Sequence, residues 1–276
     1  MNGRDSGLGT WDSAEQKPAS VVSGDVKRTE AVLCVGAPLL PSPESRNPSP
    51  GFAGFPRVAL FDLDGTLLDS APDMLATVNR MLAVRGRAPM TLAQIRPHVS
   101  KGARAMCGAA FPQASIEARD ALVPEFLRVY AEELGRHGAP FDGIEAMLAA
   151  LEAHGSRWGI VTNKPEGLAR DLMPLLGWQE RCAVLIGGDT LRERKPHPLP
   201  LQEAARLLDA RIEDCVYVGD DERDIQSARA AGMVSIAALW GYRLPGDDPA
   251  SWQADVMLEH AVELQDPANW PRGRAR

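Results

Sequence analysis

The sequence predicts a doubly wound α/β fold, a parallel sheet with helices on both faces, carrying an inserted small α-helical cap. Three observations support it. Short apolar runs at 58–63, 158–162, 183–186, 215–218 and 234–239 have the length of buried strands. Amphipathic helical stripes lie between them. One stretch, 72–142, holds helical patterns only and interrupts the alternation.

Residues 1–56 stand apart. They hold seven Pro, seven Gly and seven Ser, and lack apolar periodicity outside 31–35 and the pair Leu39 and Leu40. Such a segment buries too little surface to offset its chain entropy, so it reads as a disordered leader or as an over-long translation start. A secretory signal would place an apolar run directly after a basic start, which this stretch does not. The α/β core is expected over 57–71 and 143–270, with the helical cap at 72–142. In the core, Ile144, Met147, Leu148 and Leu151 form one helical stripe, and Leu168, Leu172, Leu175 and Leu176 a second. Leu201, Ala204, Ala205 and Leu208 form a third, and Ile225, Ala228 and Gly232 a fourth. The cap opens at Ser70, read as an N-cap with Asp73 at its acidic third position, and continues through Met74, Leu75, Val78, Met81 and Leu82. Inserted after the first strand, it should lie over the C-terminal edge of the sheet, where open α/β folds bind ligands.

Composition excludes several classes. With 45% apolar residues in a chain of 276, there is material for one large domain or two smaller ones. The 30 Lys+Arg against 37 Asp+Glu leave a net charge of −7, which speaks against non-specific nucleic-acid binding. No run approaches the roughly 20 apolar residues of a membrane span. The four cysteines, Cys34, Cys107, Cys182 and Cys215, are far apart, so a reduced, cytoplasmic chain is expected.

Four polar clusters lie at predicted strand ends. In the first, Asp62 and Asp64 face the same way because strand side chains alternate, and two adjacent carboxylates repel unless a cation joins them. The second, Thr162, Asn163 and Lys164, offers a hydroxyl and backbone N–H groups to an anion. In the third, Pro196 and Pro198 stiffen the backbone behind Lys195 and aim its ammonium, while His197 reads as structural. In the fourth, Gly219 turns the chain off its strand, Asp220 sits at the strand end, and Asp224 follows one helical turn later. Each has an ordinary explanation alone: an Asp-Gly turn, a helix cap, a solvated basic turn, a helix-dipole partner. Their shared position at strand ends is more specific, since a sheet edge would gather them into one crevice. Carboxylates for a hard cation such as Mg²⁺, with donors and a lysine for an anion, fit phosphoryl transfer through a metal-held aspartate.

On these residues the chain from about 57 to 270 resembles the haloacid dehalogenase superfamily, in its phosphatase branch with a small helical cap. Asp62, Asp64, Gly65 and Thr66 match the first family motif, Thr162 the second, Lys195 the third, and Gly219, Asp220 and Asp224 the fourth. The chain is most similar to bacterial phosphoglycolate phosphatases and, at 99–106 and 158–165, also to N-acetylmuramic acid 6-phosphate phosphatases. The leader has no counterpart in the family domain. Asp221 stands where the phosphoglycolate group often has Ser, which leaves open whether Asp220 or Asp221 faces the metal.

The resemblance implies that Asp62 attacks phosphorus and that Asp64 exchanges protons with the leaving alcohol and then with water. It implies Mg²⁺ held by Asp62, the main-chain carbonyl of Asp64 and Asp220, with Asp224 orienting the metal shell. Thr162 and Lys195 are expected on the phosphate, and Asn163 is expected to contact the substrate. An acid at 64 speaks against carbon–halogen cleavage, and Lys101, the cap's one lysine, lacks the apolar neighbours a Schiff-base lysine needs. Sugar phosphomutase chemistry stays open, whereas a binding-only relative would have lost groups that are all present. The partner is expected to be a small carboxylate-bearing phosphomonoester, with Lys101 and Arg104 as its cap contacts; monomer and homodimer are both open.

Overall fold

The computed structural model describes residues 54–272 and the backbone of Val32–Leu33. The expected disordered leader therefore lies outside the described residues except at 32–33 and 54–56. At its end, Phe55 packs edge-on against His154 and Trp270, with ring centroids 4.8 and 6.1 Å away, so the core starts earlier than position 57.

In chain order the elements are β1 (Val32–Leu33), β2 (Val58–Phe61), β3 (Leu68–Asp69), α1 (Ala71–Val84), α2 (Leu92–Ile95), α3 (Ala103–Ala110), α4 (Ile116–Asp120) and α5 (Val123–Glu133). There follow β4 (Ala139–Pro140), α6 (Ile144–Ala153), β5 (Arg157–Val161), α7 (Glu166–Leu175), β6 (Val184–Ile186), α8 (Leu199–Leu207), β7 (Cys215–Gly219), α9 (Glu222–Ala231), β8 (Val234–Ala238) and β9 (Val256–Leu258). Six strands run parallel in the order β6-β5-β2-β7-β8-β9. β1 pairs antiparallel with β6, Val32 opposite Leu185 and Leu33 opposite Val184. The chain builds outward from β2 on one side, then returns to build on the other, so the switch in direction falls beside β2.

β2 is buried on both sides, which explains its unbroken apolar run. Ala59 and Phe61 join the core layer containing α6, whereas Val58 and Leu60 join the layer under α8. The α6 and α8 stripes bury the residues that periodicity selects. α7 differs: its buried face is Glu166, Ala169, Leu172 and Met173, and Leu175 is 61% exposed. Its phase is rotated because Glu166 is drawn inward, where it accepts a hydrogen bond from Thr190 Oγ1 at 2.8 Å. β9 has no counterpart among the predicted strands; only Leu258 of its three residues is buried.

The insertion is not purely helical. β3 and β4 pair antiparallel, Leu68 opposite Pro140 and Asp69 opposite Ala139, and this two-residue ribbon carries the chain into and out of helices α1 to α5. Ser70 does not cap α1 with its side chain. Asp73 instead accepts backbone N–H bonds from Gly135, His137 and Gly138 at 2.7–3.1 Å, and so ties the outgoing helix to the returning chain. Among the described residues, no helix is long and apolar enough to cross a membrane.

Candidate active site

The strand ends converge as expected, with one correction: Lys195 is not at a strand end but in the loop between β6 and α8. Past the end of β2, Asp62 N still bonds to Val218 O at 2.9 Å, which keeps Asp62 beside the end of β7. The chain then turns back so that Leu67 and Leu68 N–H groups reach Leu63 O. Gly65 makes that turn with φ +87°, and a Cβ there would lie 2.2 Å from Asp220 Oδ2. Only glycine tolerates both demands.

One carboxylate oxygen from each of Asp62, Asp220 and Asp224 lies within 4.8 Å of the other two, and all three residues are buried. Asp220 is 0% exposed and accepts from Thr66 Oγ1 (3.1 Å), Ser100 Oγ (2.8 Å) and Tyr242 N (2.8 Å). Burial, then the charges of Asp62 and Asp224, push its carboxyl well above the usual range. Lys195, 2% exposed, reaches Asp224 at 2.7 Å, Asp62 at 3.0 Å and the Tyr217 hydroxyl at 2.8 Å. Burial opposes its charge, but Asp224 and Asp62 outweigh that and raise its pKa. Asp224 is pushed up to about 6 by burial, against the pull of Lys195. Three buried carboxylates with one ammonium, which touches Asp62 and Asp224, leave negative charge uncompensated, and an all-oxygen set of this kind suits a hard divalent cation.

Asp64 has a different setting. Both its oxygens lie 3.2 Å from Lys164 Nζ, which also donates to the Tyr130 hydroxyl of α5 at 2.5 Å. Its side chain is thus paired with a lysine of its own and is not part of the three-carboxylate cluster. Thr162 lines the same cavity and accepts from Lys164 N at 3.2 Å.

Other expected contacts are placed differently. Asn163, expected on the substrate, uses its amide on the Lys195 backbone, donating to Lys195 O at 3.0 Å and accepting from Lys195 N at 3.1 Å. Of the adjacent acids, Asp220 joins the cluster and Asp221 turns away to cap α9. Asp221 receives Arg223 Nε and Lys101 Nζ, both at 2.8 Å. Burial alone would raise its carboxyl, yet Arg223 and then Lys101 hold it down, at about 2. Lys101 therefore lines the cavity with its ammonium already on Asp221, and 3.5 Å from Asp247. Arg104 also lines it, with its side chain 75% exposed and paired with Asp120 at 2.8 Å.

Sequence reasoning missed Tyr130, Ser100, Tyr217 and Tyr242, and gave Lys164 no role. Two signals were available. Lys164 directly follows the Thr162–Asn163 pair, and Tyr217 is a hydroxyl inside an apolar strand, where a buried O–H needs a partner. Tyr217 finds Val161 O at 2.7 Å. The whole cavity measures about 590 Å³, between the sheet edge, with Asp62, Asp64 and the loop residue Lys195, and an insertion wall that includes Val99, Met106 and Phe126.

Known proteins resemble this chain. Residues 59–238 match the haloacid dehalogenase-like hydrolase family. The phosphoglycolate phosphatase of Xanthomonas campestris pv. campestris strain 8004 is 65% identical over 218 residues, 79% of this chain and 99% of that one. The N-acetylmuramic acid 6-phosphate phosphatase of Pseudomonas aeruginosa is 43% identical over 212 residues, 76% of this chain and 93% of that one. The crystal structure of a predicted phosphoglycolate phosphatase from Haemophilus somnus 129PT superposes with a TM-score of 0.67 at 24% identity, covering 75% of this chain and 96% of that one, a likeness of fold. With the motif residues gathered at one sheet edge and well over half of its length matched, this chain belongs to the haloacid dehalogenase-like hydrolases.

Proposed function

We propose that the chain is a Mg²⁺-dependent phosphatase that hydrolyses a small carboxylate-bearing phosphomonoester, 2-phosphoglycolate in the first place, through an aspartyl-phosphate. The observation that carries this reading is the buried group of Asp62, Asp220 and Asp224, with Lys195 on Asp62 and Asp224 and with Asp64 held separately by Lys164. The likeness to the Xanthomonas phosphoglycolate phosphatase supports the choice of substrate.

The residues present fit the metal, because burying Asp220 between two other carboxylates is costly without a further cation. Asp62, the main-chain carbonyl of Asp64 and Asp220 would hold Mg²⁺, with Asp224 orienting them; the ion would lower the repulsion between nucleophile and phosphate. Asp62 then attacks phosphorus, and the bond to the ester oxygen breaks as Asp64 protonates the departing alcohol. Lys195 and Thr162 meet the non-bridging oxygens where charge builds up. Water next attacks the aspartyl-phosphate, giving its proton to Asp64, which restores Asp62 and releases phosphate. Lys164 and Tyr130 fix the direction of Asp64 through both steps.

The cavity of about 590 Å³ favours a second reading, a sugar-acid phosphate of the size of N-acetylmuramic acid 6-phosphate. Side-by-side kcat/KM for the two esters, measured as phosphate release, separates the readings; the first predicts that 2-phosphoglycolate is preferred. Isomerised sugar phosphate formed without free phosphate would replace both with mutase chemistry. No turnover of any phosphomonoester with Mg²⁺ present would overturn the proposal.

A further inference from the structure

Six cationic side chains line the cavity, and five are matched to carboxylates. Lys195 holds Asp62 and Asp224, Lys164 holds Asp64, Lys101 and Arg223 share Asp221, and Arg104 pairs with Asp120. Arg194 differs. It lines the cavity, yet among the described residues no carboxylate pairs with its guanidinium.

Its side chain is exposed but its backbone is braced. Asn163 grips the next residue, Lys195, at both N–H and C=O, and Arg194 O accepts from His197 N at 2.9 Å. The rim position of Arg194 is therefore tied to the position of Lys195, whose ammonium sits in the acid cluster. Electrostatics then separates the candidates for a second anionic group on the substrate. Drawing Lys101 onto a ligand would take one of two cations from Asp221, whose side chain is only 4% exposed, and leave it on Arg223 alone. Drawing Arg194 onto a ligand breaks no ion pair, and its guanidinium presents a planar fork suited to a carboxylate.

We propose that Arg194 is the specificity-determining residue that binds the anionic group the substrate carries in addition to its phosphate. This rests on the carboxylate-bearing substrate of the preceding section and moves that contact from Lys101 and Arg104 to the rim of the sheet.

The test compares wild type, Arg194→Ala and Arg194→Lys on two matched pairs of esters. One pair is 2-phosphoglycolate and 2-hydroxyethyl phosphate, and the other is N-acetylmuramic acid 6-phosphate and N-acetylglucosamine 6-phosphate; each pair differs in a carboxylate. For whichever acidic ester the wild type prefers, Arg194→Ala should raise KM about tenfold or more. Its kcat should change little, as should both constants for the neutral partner. Arg194→Lys should recover part of the loss, which a change in packing alone would not produce. Unchanged preference for the acidic ester in Arg194→Ala, or an equal loss on both members of the pair, overturns the role of Arg194 while leaving the phosphatase reading intact. A wild type that cleaves the neutral esters as well as the acidic ones removes the carboxylate reading itself, and the proposal with it.

Discussion

The acid cluster at the sheet edge and the loop of the insertion at Ser100 and Lys101 touch each other, but they are held by opposite electrostatics. In the cluster, Asp220 is buried with two like charges and its carboxyl is driven up. One residue on, Asp221 meets Lys101 of the insertion and Arg223 of α9, and its carboxyl is held at about 2. Ser100 completes the seam, donating to Asp220 at 2.8 Å while its carbonyl accepts from Arg223. On the proposed reading, uncompensated charge marks the place where a cation and a phosphate would bind; compensated charge marks the place where the insertion is fastened.

Changing each side in turn tests that difference. The largest effect is expected at Asp62. Asp62→Asn should lower kcat by about 10⁴-fold or more, as loss of a nucleophile does, with circular dichroism and melting temperature near those of the wild type. Near-normal turnover would remove the assignment of the nucleophile.

Next, the neighbouring acids should respond with opposite signs. Asp220→Asn should weaken Mg²⁺ binding, read by calorimetry, about 100-fold or more, yet raise the melting temperature of the metal-free protein by relieving a buried charge. Asp221→Asn should leave Mg²⁺ affinity within a few-fold and lower the melting temperature. Matching responses from both variants would mean that the two carboxylates share one role.

The Asp221 effect should also depend on pH. Its folded pKa lies below the ordinary carboxylate value, so its stabilisation is complete above about pH 4 and disappears as pH falls through about 2. Asp221→Asn should then cost about 2 kcal/mol near neutrality, and the difference from wild type in chemical denaturation should close between pH 4 and 2. A difference that stays constant over this window would show that Asp221 acts by packing rather than by charge.

The smallest change is expected from Lys101→Ala, which loosens the insertion from the α9 side. A loss of a few-fold in kcat/KM with unaltered Mg²⁺ affinity is expected; strongly weakened metal binding would instead place Lys101 within the metal site.

The same contrast explains what could be read from sequence. The strand-end acids and Thr162 were legible because each is written locally, as an apolar run followed by a polar turn, and a parallel sheet gathers such ends by topology alone. Lys195, in the loop between β6 and α8, was legible from the prolines that follow it. The seam was not. Lys164 meets Asp64 across 100 positions, and Ser100 and Lys101 each meet their acids across 120, pairings that no local periodicity encodes. Asn163 and Lys101 were read as ligand contacts because their chemistry suits an anion, yet the fold supplied each with a protein partner first. The α7 stripe failed for a related reason: four leucines outweighed one glutamate in the pattern, and the glutamate was the residue with a buried partner. The edge strand β9, with one buried residue in three, carries too little apolar signal to be read at all.

The central claim is that Asp62 itself takes the phosphoryl group. Enzyme mixed with Mg²⁺ and excess 2-phosphoglycolate, quenched in acid within one turnover and digested, should yield a phosphorylated peptide containing Asp62, and Asp62→Asn should yield none. Turnover at full rate with no phosphorylated peptide, or with the phosphoryl group on another residue, would contradict it.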